Sequence, residues 1–181
     1  MPDDIIVENC SPTLAGLKTA NLFMVDDSQE ENITRGLRDL NNLLTEKGLR
    51  AIPVGQTCRG TLVYLYRPDR LSRDLNTAEA RDILREKGYR GETTEECVVE
   101  LISRISSAET FPHEIGLFLG YPPVDVRGFM EDTRKGVKCV GYWKVYGDKE
   151  KAEKTFCTYK KCTEVYKRIL GEGVALSKMI V

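Results

Sequence analysis

An α/β fold of the α+β type is what this sequence predicts: a small mixed or antiparallel sheet of three to four strands, covered by several helices. Three observations carry that prediction. Helix-capping residues recur just ahead of apolar residues spaced at helical period. Short apolar or β-branched runs lie between those helical stretches, and a long amphipathic, lysine-rich helix follows near the end of the chain.

The elements follow in order. Ser11-Pro12 predicts the opening of a first short helix, with serine as cap and proline in the first turn. Asn21 to Val25 reads as a strand. Ser28 with Glu31, Asn76 with Glu79, and Thr93 with Glu96 have the spacing of capping boxes, in which two side chains satisfy each other's exposed backbone N–H groups. Ile33, Leu37, Leu40 and Leu44 follow the first of these, and Val98, Leu101, Ile102 and Ile105 follow the third. Gly48 and Gly88 stand where the first two of these helices should stop. Ala51 to Val54 and Thr61 to Tyr66 flank Gly55–Gly60, a loop suited to an antiparallel hairpin. Val137 to Tyr146 reads as a further extended segment. A long helix then runs from about Asp148 to Leu170 with the stripe Ala152, Phe156, Tyr159, Thr163, Tyr166 and Leu170. With no internal repeat, low-complexity tract or linker, residues 1–181 read as one domain.

Composition narrows the class. The chain has 181 residues, enough to bury roughly 70% of its unfolded surface without a disulfide or metal. Hydrophobic residues make up 41% and charged ones 30%, a globular balance. No apolar run approaches the roughly 20 residues of a membrane span, and MPDDIIVENC lacks the features of a signal peptide. The expected compartment is therefore the cytoplasm. There the six cysteines, with wide spacings and no C-x-x-C, are expected as thiols.

Cys10-Ser-Pro-Thr-Leu-Ala-Gly-Leu-Lys-Thr-Ala-Asn-Leu-Phe23, His113-Glu-Ile-Gly-Leu-Phe-Leu-Gly-Tyr-Pro122 and Gly141-Tyr-Trp-Lys-Val-Tyr-Gly-Asp148 together resemble a bacterial family of unknown function, common in clostridia and other anaerobes. The resemblance covers essentially the whole chain. It implies a full-length bacterial domain and supplies no activity.

Chemistry must therefore be read from the residues. Cys10, placed before the expected helix start, would sit at the positive end of a helix dipole, which lowers a thiol pKa. His113 is the only histidine and thus the only imidazole base for a Cys–His pair, with Glu114 or Asn9 as its orienter. The competing reading is a packed thiol and a first-turn histidine. A metal is not expected: Pro-His-Glu-Ile-Gly lacks a second histidine, and Cys157 and Cys162 point to different sides of their helix. Residues 113–132 outline two helices about a Gly120-Tyr-Pro-Pro turn, either a helix-turn-helix or an αα-hairpin that feeds the core. Asp125, Glu131 and Asp132 against Arg127 make its second helix a poor phosphate face.

Charge is uneven. Residues 134–168 hold eleven Lys/Arg and four Asp/Glu, a local +7 within a net −1, interleaved with Tyr142, Trp143, Tyr146, Tyr159 and Tyr166. That pattern suits a small anionic ligand or cofactor, and a nucleic acid less well; its simpler reading is the solvated side of a helix. No phosphate loop, dinucleotide fingerprint or nucleophile elbow identifies a cofactor or reaction. The expected site draws on Ser11, Thr13 and Lys18, on His113 to Tyr121, and on Tyr142, Trp143, Lys144 and Tyr146. The leading expectation is a small-molecule or cofactor-binding protein, an enzyme if Cys10 and His113 act as a pair. The alternative is a nucleic-acid or protein-interaction module built on residues 113–132 and 134–168.

Overall fold

The computed structural model describes residues 1–26, 32–107, 110–131 and 134–181, and the chain divides into two units. One comprises Met1–Asp69 and Tyr159–Val181, the other Arg70–Thr158.

In the first unit, helix α1 (Asp3–Leu14) starts well upstream of Ser11, with Asp3 and Asp4 in the first turn where the dipole favours acids. The helix opening read at Ser11-Pro12 is thus overturned. Pro12 lies in the last turn, and the Ser11 hydroxyl donates back to the Val7 carbonyl instead of capping.

Strand β1 (Ala20–Val25) follows, then α2 (Ile33–Leu44), β2 (Arg50–Thr57) and β3 (Gly60–Tyr66). The three strands form an antiparallel sheet in the order β1-β3-β2. β2 and β3 make the expected hairpin, closed at Thr57–Gly60 around Cys58-Arg59. Gly60 has φ +135°, and a Cβ there would stand 2.1 Å from the Val25 carbonyl oxygen, so only glycine fits. The register shifts between Pro53 and Gly55, where a residue without an N–H interrupts an edge strand. The cap of α2 is Asn32, whose Oδ1 accepts from Arg35 N at 2.9 Å; the Ser28–Glu31 capping pair lies outside the described residues.

α1 packs on β1 and β3, and α2 on β2. Asn41 of α2 grips the outer edge of β2: its Nδ2 donates to the Ala51 carbonyl at 2.7 Å and its Oδ1 accepts from Ala51 N at 2.9 Å. That contact satisfies an edge strand that would otherwise offer bare backbone groups. Ile6, Leu14, Leu44, Leu49, Val63 and Leu65 form the middle of a continuous apolar core. Each such side chain contributes on the order of 1.5–3 kcal/mol on burial.

The second unit is mostly helical: α3 (Pro68–Leu75) from Arg70 onward, α4 (Ala78–Glu86), α5 (Thr94–Ser107), α6 (Ile115–Phe118) and α7 (Pro123–Glu131). A two-stranded hairpin, β4 (Cys139–Val140) with β5 (Lys144–Val145), and the first part of α8 (Lys149–Gly171) complete it. The Thr93–Glu96 capping box forms as read, with Glu96 N donating to Thr93 Oγ1 at 3.2 Å and Thr93 N to Glu96 Oε2 at 3.0 Å. The cap of α4 is Thr77, not Asn76, because Asn76 Oδ1 is taken by the Arg81 guanidinium. α7 packs against α4, α6 and β5, and Leu71, Leu75, Ile83, Leu101, Phe118 and Val145 are buried.

In the first unit the rest of α8 packs Tyr166, Ile169 and Leu170 against the core, and its C-terminal continuation buries Leu176, Met179 and Ile180. Arg67 draws this end in, donating to the carbonyls of Thr13, Leu14 and Val181 at 2.6–2.8 Å. The fold is thus α/β, with a three-stranded antiparallel sheet, a small second sheet and a long C-terminal helix. Among the described residues no helix is long and apolar enough to cross a membrane.

Candidate functional site: an aromatic pocket in the second unit

The turn between α6 and α7 is built by sequence. Gly120 (φ +76°) ends α6 after a single turn, Tyr121 N returns to the Gly116 carbonyl, and Pro123 opens α7. The two helices read about Gly120 are therefore very unequal in length. Opposite them, the β4–β5 turn closes through Gly141 N donating to the Trp143 carbonyl at 3.0 Å.

Between these segments lies a pocket of about 360 Å³, walled by Phe111, Ile115, Val126, Phe129, Tyr121 and Trp143. Tyr121 stacks on Trp143 at 4.8 Å, and Trp143 meets Phe156 edge-on at 4.6 Å. His113, exposed at the rim, stands edge-on to Phe129 with centroids 4.9 Å apart. Lys144 Nζ lies 5.2 Å from the centroid of the same ring. The walls are thus almost wholly aromatic and aliphatic, with two nitrogen-bearing side chains flanking Phe129.

Asp125 also borders the pocket, but its carboxylate is structural. It is 3% exposed and accepts from Trp143 Nε1 at 2.7 Å and from the backbone N–H groups of Tyr146 and Gly147 at 2.8 and 2.7 Å. Glu114 faces a separate network: Tyr89 donates its hydroxyl to Glu114 Oε1 at 3.2 Å, and Arg104 lies 3.9 Å from that oxygen and over the Tyr89 ring. Burial, with the Glu114 charge beside it, pushes the Tyr89 phenol well up, so it remains a donor.

The residues expected to form one site are divided between the units. His113, Glu114, Tyr121, Tyr142, Trp143, Lys144 and Tyr146 belong to the second; Cys10, Ser11, Thr13 and Lys18 belong to the first. Of the second group, His113, Tyr121, Trp143 and Lys144 line the pocket. Tyr142 lies outward, tilted against Phe156, and the Tyr146 ring covers Gly128.

In the first unit Cys10 sits in the C-terminal half of α1, fully buried, rather than at a helix N-terminus. Burial pushes its thiol up, and the Lys18 charge counters only part of that. Lys18 is 4% exposed, and burial draws its ammonium down to about 8. Thr13 donates its hydroxyl to Asn21 Oδ1 at 2.6 Å.

Sequence reasoning did not pick out Phe111, Asp125 or Phe129 as site residues. Asp125 enters the sequence reading only as one of the acids that make its helix a poor phosphate face. The available signal was the α7 period itself, since Asp125, Val126 and Phe129 fall on one helical face. Among the described residues no group of three or more His, Cys, Asp or Glu side chains is placed to hold a metal ion.

No curated protein and no solved structure matches the chain. A family model does, over residues 6–180, and the chain therefore belongs to the family described as Protein of unknown function (DUF3793).

Proposed function

We propose that this is a cytoplasmic bacterial protein, its cysteines held as thiols, that binds a small molecule in the aromatic pocket of its second unit. One observation carries the reading: an apolar pocket of about 360 Å³ between α6, α7 and the β4–β5 hairpin, bordered by few polar groups. Ligand sites are commonly concave, mostly apolar and of roughly 300–1,000 Å³, with a few placed polar groups to orient the ligand. A packed core would fill such a space with side chains, because interiors tolerate few voids larger than a water molecule. The exposure of Phe111 (46%) beside it leaves an aromatic edge for a ligand to cover.

Trp143 is the one tryptophan in the chain, so its indole N–H gives a single nuclear magnetic resonance signal at the pocket wall. A set of flat one- and two-ring compounds screened against the full chain should shift that signal. Phe111→Ala should weaken the compounds that do so by about tenfold, the loss of one aromatic contact. A folded protein whose indole signal none of the compounds moves would rule this reading out.

A further inference from the structure

The two edges of the three-stranded sheet in the first unit are built differently. Arg67 N donates to the Thr19 carbonyl at 3.0 Å, which continues the β1–β3 register one step beyond Ala20↔Tyr66. In an antiparallel ladder only alternate residues bond to a given neighbour. Thr19, Asn21, Phe23 and Val25 therefore turn their backbone groups to β3, and Ala20, Leu22 and Met24 turn theirs outward. On β2 the same alternation sends Ala51 and Pro53 outward. There Asn41 takes both backbone groups of Ala51, and Pro53 has no N–H to offer. β1 carries no such device. Ala20–Val25 holds no charge, proline or glycine, and among the described residues Leu22 and Met24 make no outward backbone bond. Leu22 is half-buried and Met24 is 36% exposed. A bare edge of this kind is a template for another strand, which charge, proline or a covering segment ordinarily prevents.

We propose that the chain forms a two-fold dimer by antiparallel pairing of β1 with β1 of a second copy, which joins the two sheets into one. A two-fold contact needs a surface complementary to itself. An uncharged strand meets that need, because it faces its own copy without like-charge repulsion. A charged peptide would find no counter-charge on this strand, whereas a copy brings the same apolar residues. Burial and charge also choose the register. Centring the axis on Leu22 would set Ala20 against Met24 of the second copy, but Ala20 is fully buried. Centring it on Met24 would set the Asp26 carboxylate against an apolar Leu22. Centring it on Phe23 sets Leu22 against Met24 on both sides of the axis, outward groups against outward groups and apolar side chains against apolar ones. In that register each Leu22–Met24 pair exchanges both of its backbone hydrogen bonds. The contact is independent of the aromatic pocket, which belongs to the second unit.

The test is sedimentation of the full chain over a concentration series, with amide hydrogen exchange read residue by residue by nuclear magnetic resonance. The sedimenting mass is expected to double as concentration rises. In step with it, the Leu22 and Met24 amides should pass from free exchange to protection. The Phe23 amide, turned to β3 within the chain, should be protected throughout. Met24→Lys places a charge at an exposed position of the edge. It should return the chain to monomer at the concentration where wild type is dimeric, with an unchanged circular dichroism spectrum. Were that variant to misfold, the wild-type exchange data decide alone. A chain that stays monomeric throughout the series overturns the proposal. So does a dimer whose Leu22 and Met24 amides still exchange freely, or a monomer in which they are already protected.

Discussion

Trp143 Nε1 donates to Asp125 Oδ2 at 2.7 Å, so a residue of α7 fixes the orientation of the indole that walls the pocket. The other oxygen of the same carboxylate accepts from Tyr146 N and Gly147 N, which follow β5 directly. One buried side chain therefore ties the hairpin to the helix through three N–H groups. Asp125→Asn keeps the shape but turns an N–H toward a donor. It should cost on the order of 2–4 kcal/mol and lower the urea midpoint followed by Trp143 fluorescence. An unchanged midpoint would mean that these bonds contribute nothing net to the second unit.

Gly128 and Gly171 should respond oppositely to the same substitution. A Cβ on Gly128 would stand 2.4 Å from the Tyr146 ring, whereas one on Gly171 would meet nothing within 4 Å. Alanine gains up to about 1 kcal/mol of helix propensity at an open helical site. Overpacking costs about 1–3 kcal/mol, and at Gly128 it must displace a ring held between α7 and the hairpin. Gly128→Ala should therefore destabilise despite its better propensity, and Gly171→Ala should be neutral or slightly stabilising. Equal melting shifts for the two variants would sink the argument.

What the sequence made legible was local chemistry. The Thr93–Glu96 box, the stop at Gly48, the Gly55–Gly60 hairpin and the α8 stripe each depend on groups a few residues apart. Misreadings arose where a distant or competing partner decided the outcome. Ser11-Pro12 has the composition of a helix start, yet the preceding residues have a buried apolar face in Ile6, Val7 and Cys10 that extends the helix to Asp3. Asn76 was a plausible cap until Arg81, five residues on, claimed its oxygen. For the pocket, the aromatic segment 142–146 and the His113 run were visible as separate motifs. That they share a cavity depends on the Asp125 bonds across 18–22 residues of sequence, which no periodicity displays.

Thiol reactivity should sort the six cysteines by burial. Cys58 at the hairpin tip and Cys157 on α8 are exposed, Cys139 and Cys162 half-covered, and Cys10 and Cys97 buried. Burial also raises the Cys10, Cys97 and Cys162 thiols, which lowers the thiolate fraction that reacts. With a disulfide reagent at pH 8, Cys58 and Cys157 should be modified first, and Cys10 and Cys97 only after urea is added. Mass mapping of the modified peptides checks the order. Early modification of Cys10 would show that α1 opens readily, contrary to its place in the core.

Lys18 supplies a pH dependence whose sign can be worked out. Burial lowers its ammonium from an ordinary value of 10.5 to about 8 in the folded chain. Between those two values the unfolded chain holds a proton that the folded chain has released, so stability rises with pH across the window. Below about pH 8 both states are protonated, the slope vanishes, and the cost of burying the charge is fully present. The whole swing is about 3 kcal/mol at most, from the size of the shift. Cys10 acts against it: its raised thiol keeps a proton that the unfolded chain gives up above about pH 9, which lowers stability there. The informative quantity is therefore the stability of the wild-type chain minus that of Lys18→Met. That difference should move in the wild type's favour by about 2 kcal/mol between pH 8 and pH 10. A difference that stays flat over that range would show that Lys18 keeps its proton in the folded chain, with its charge compensated rather than suppressed.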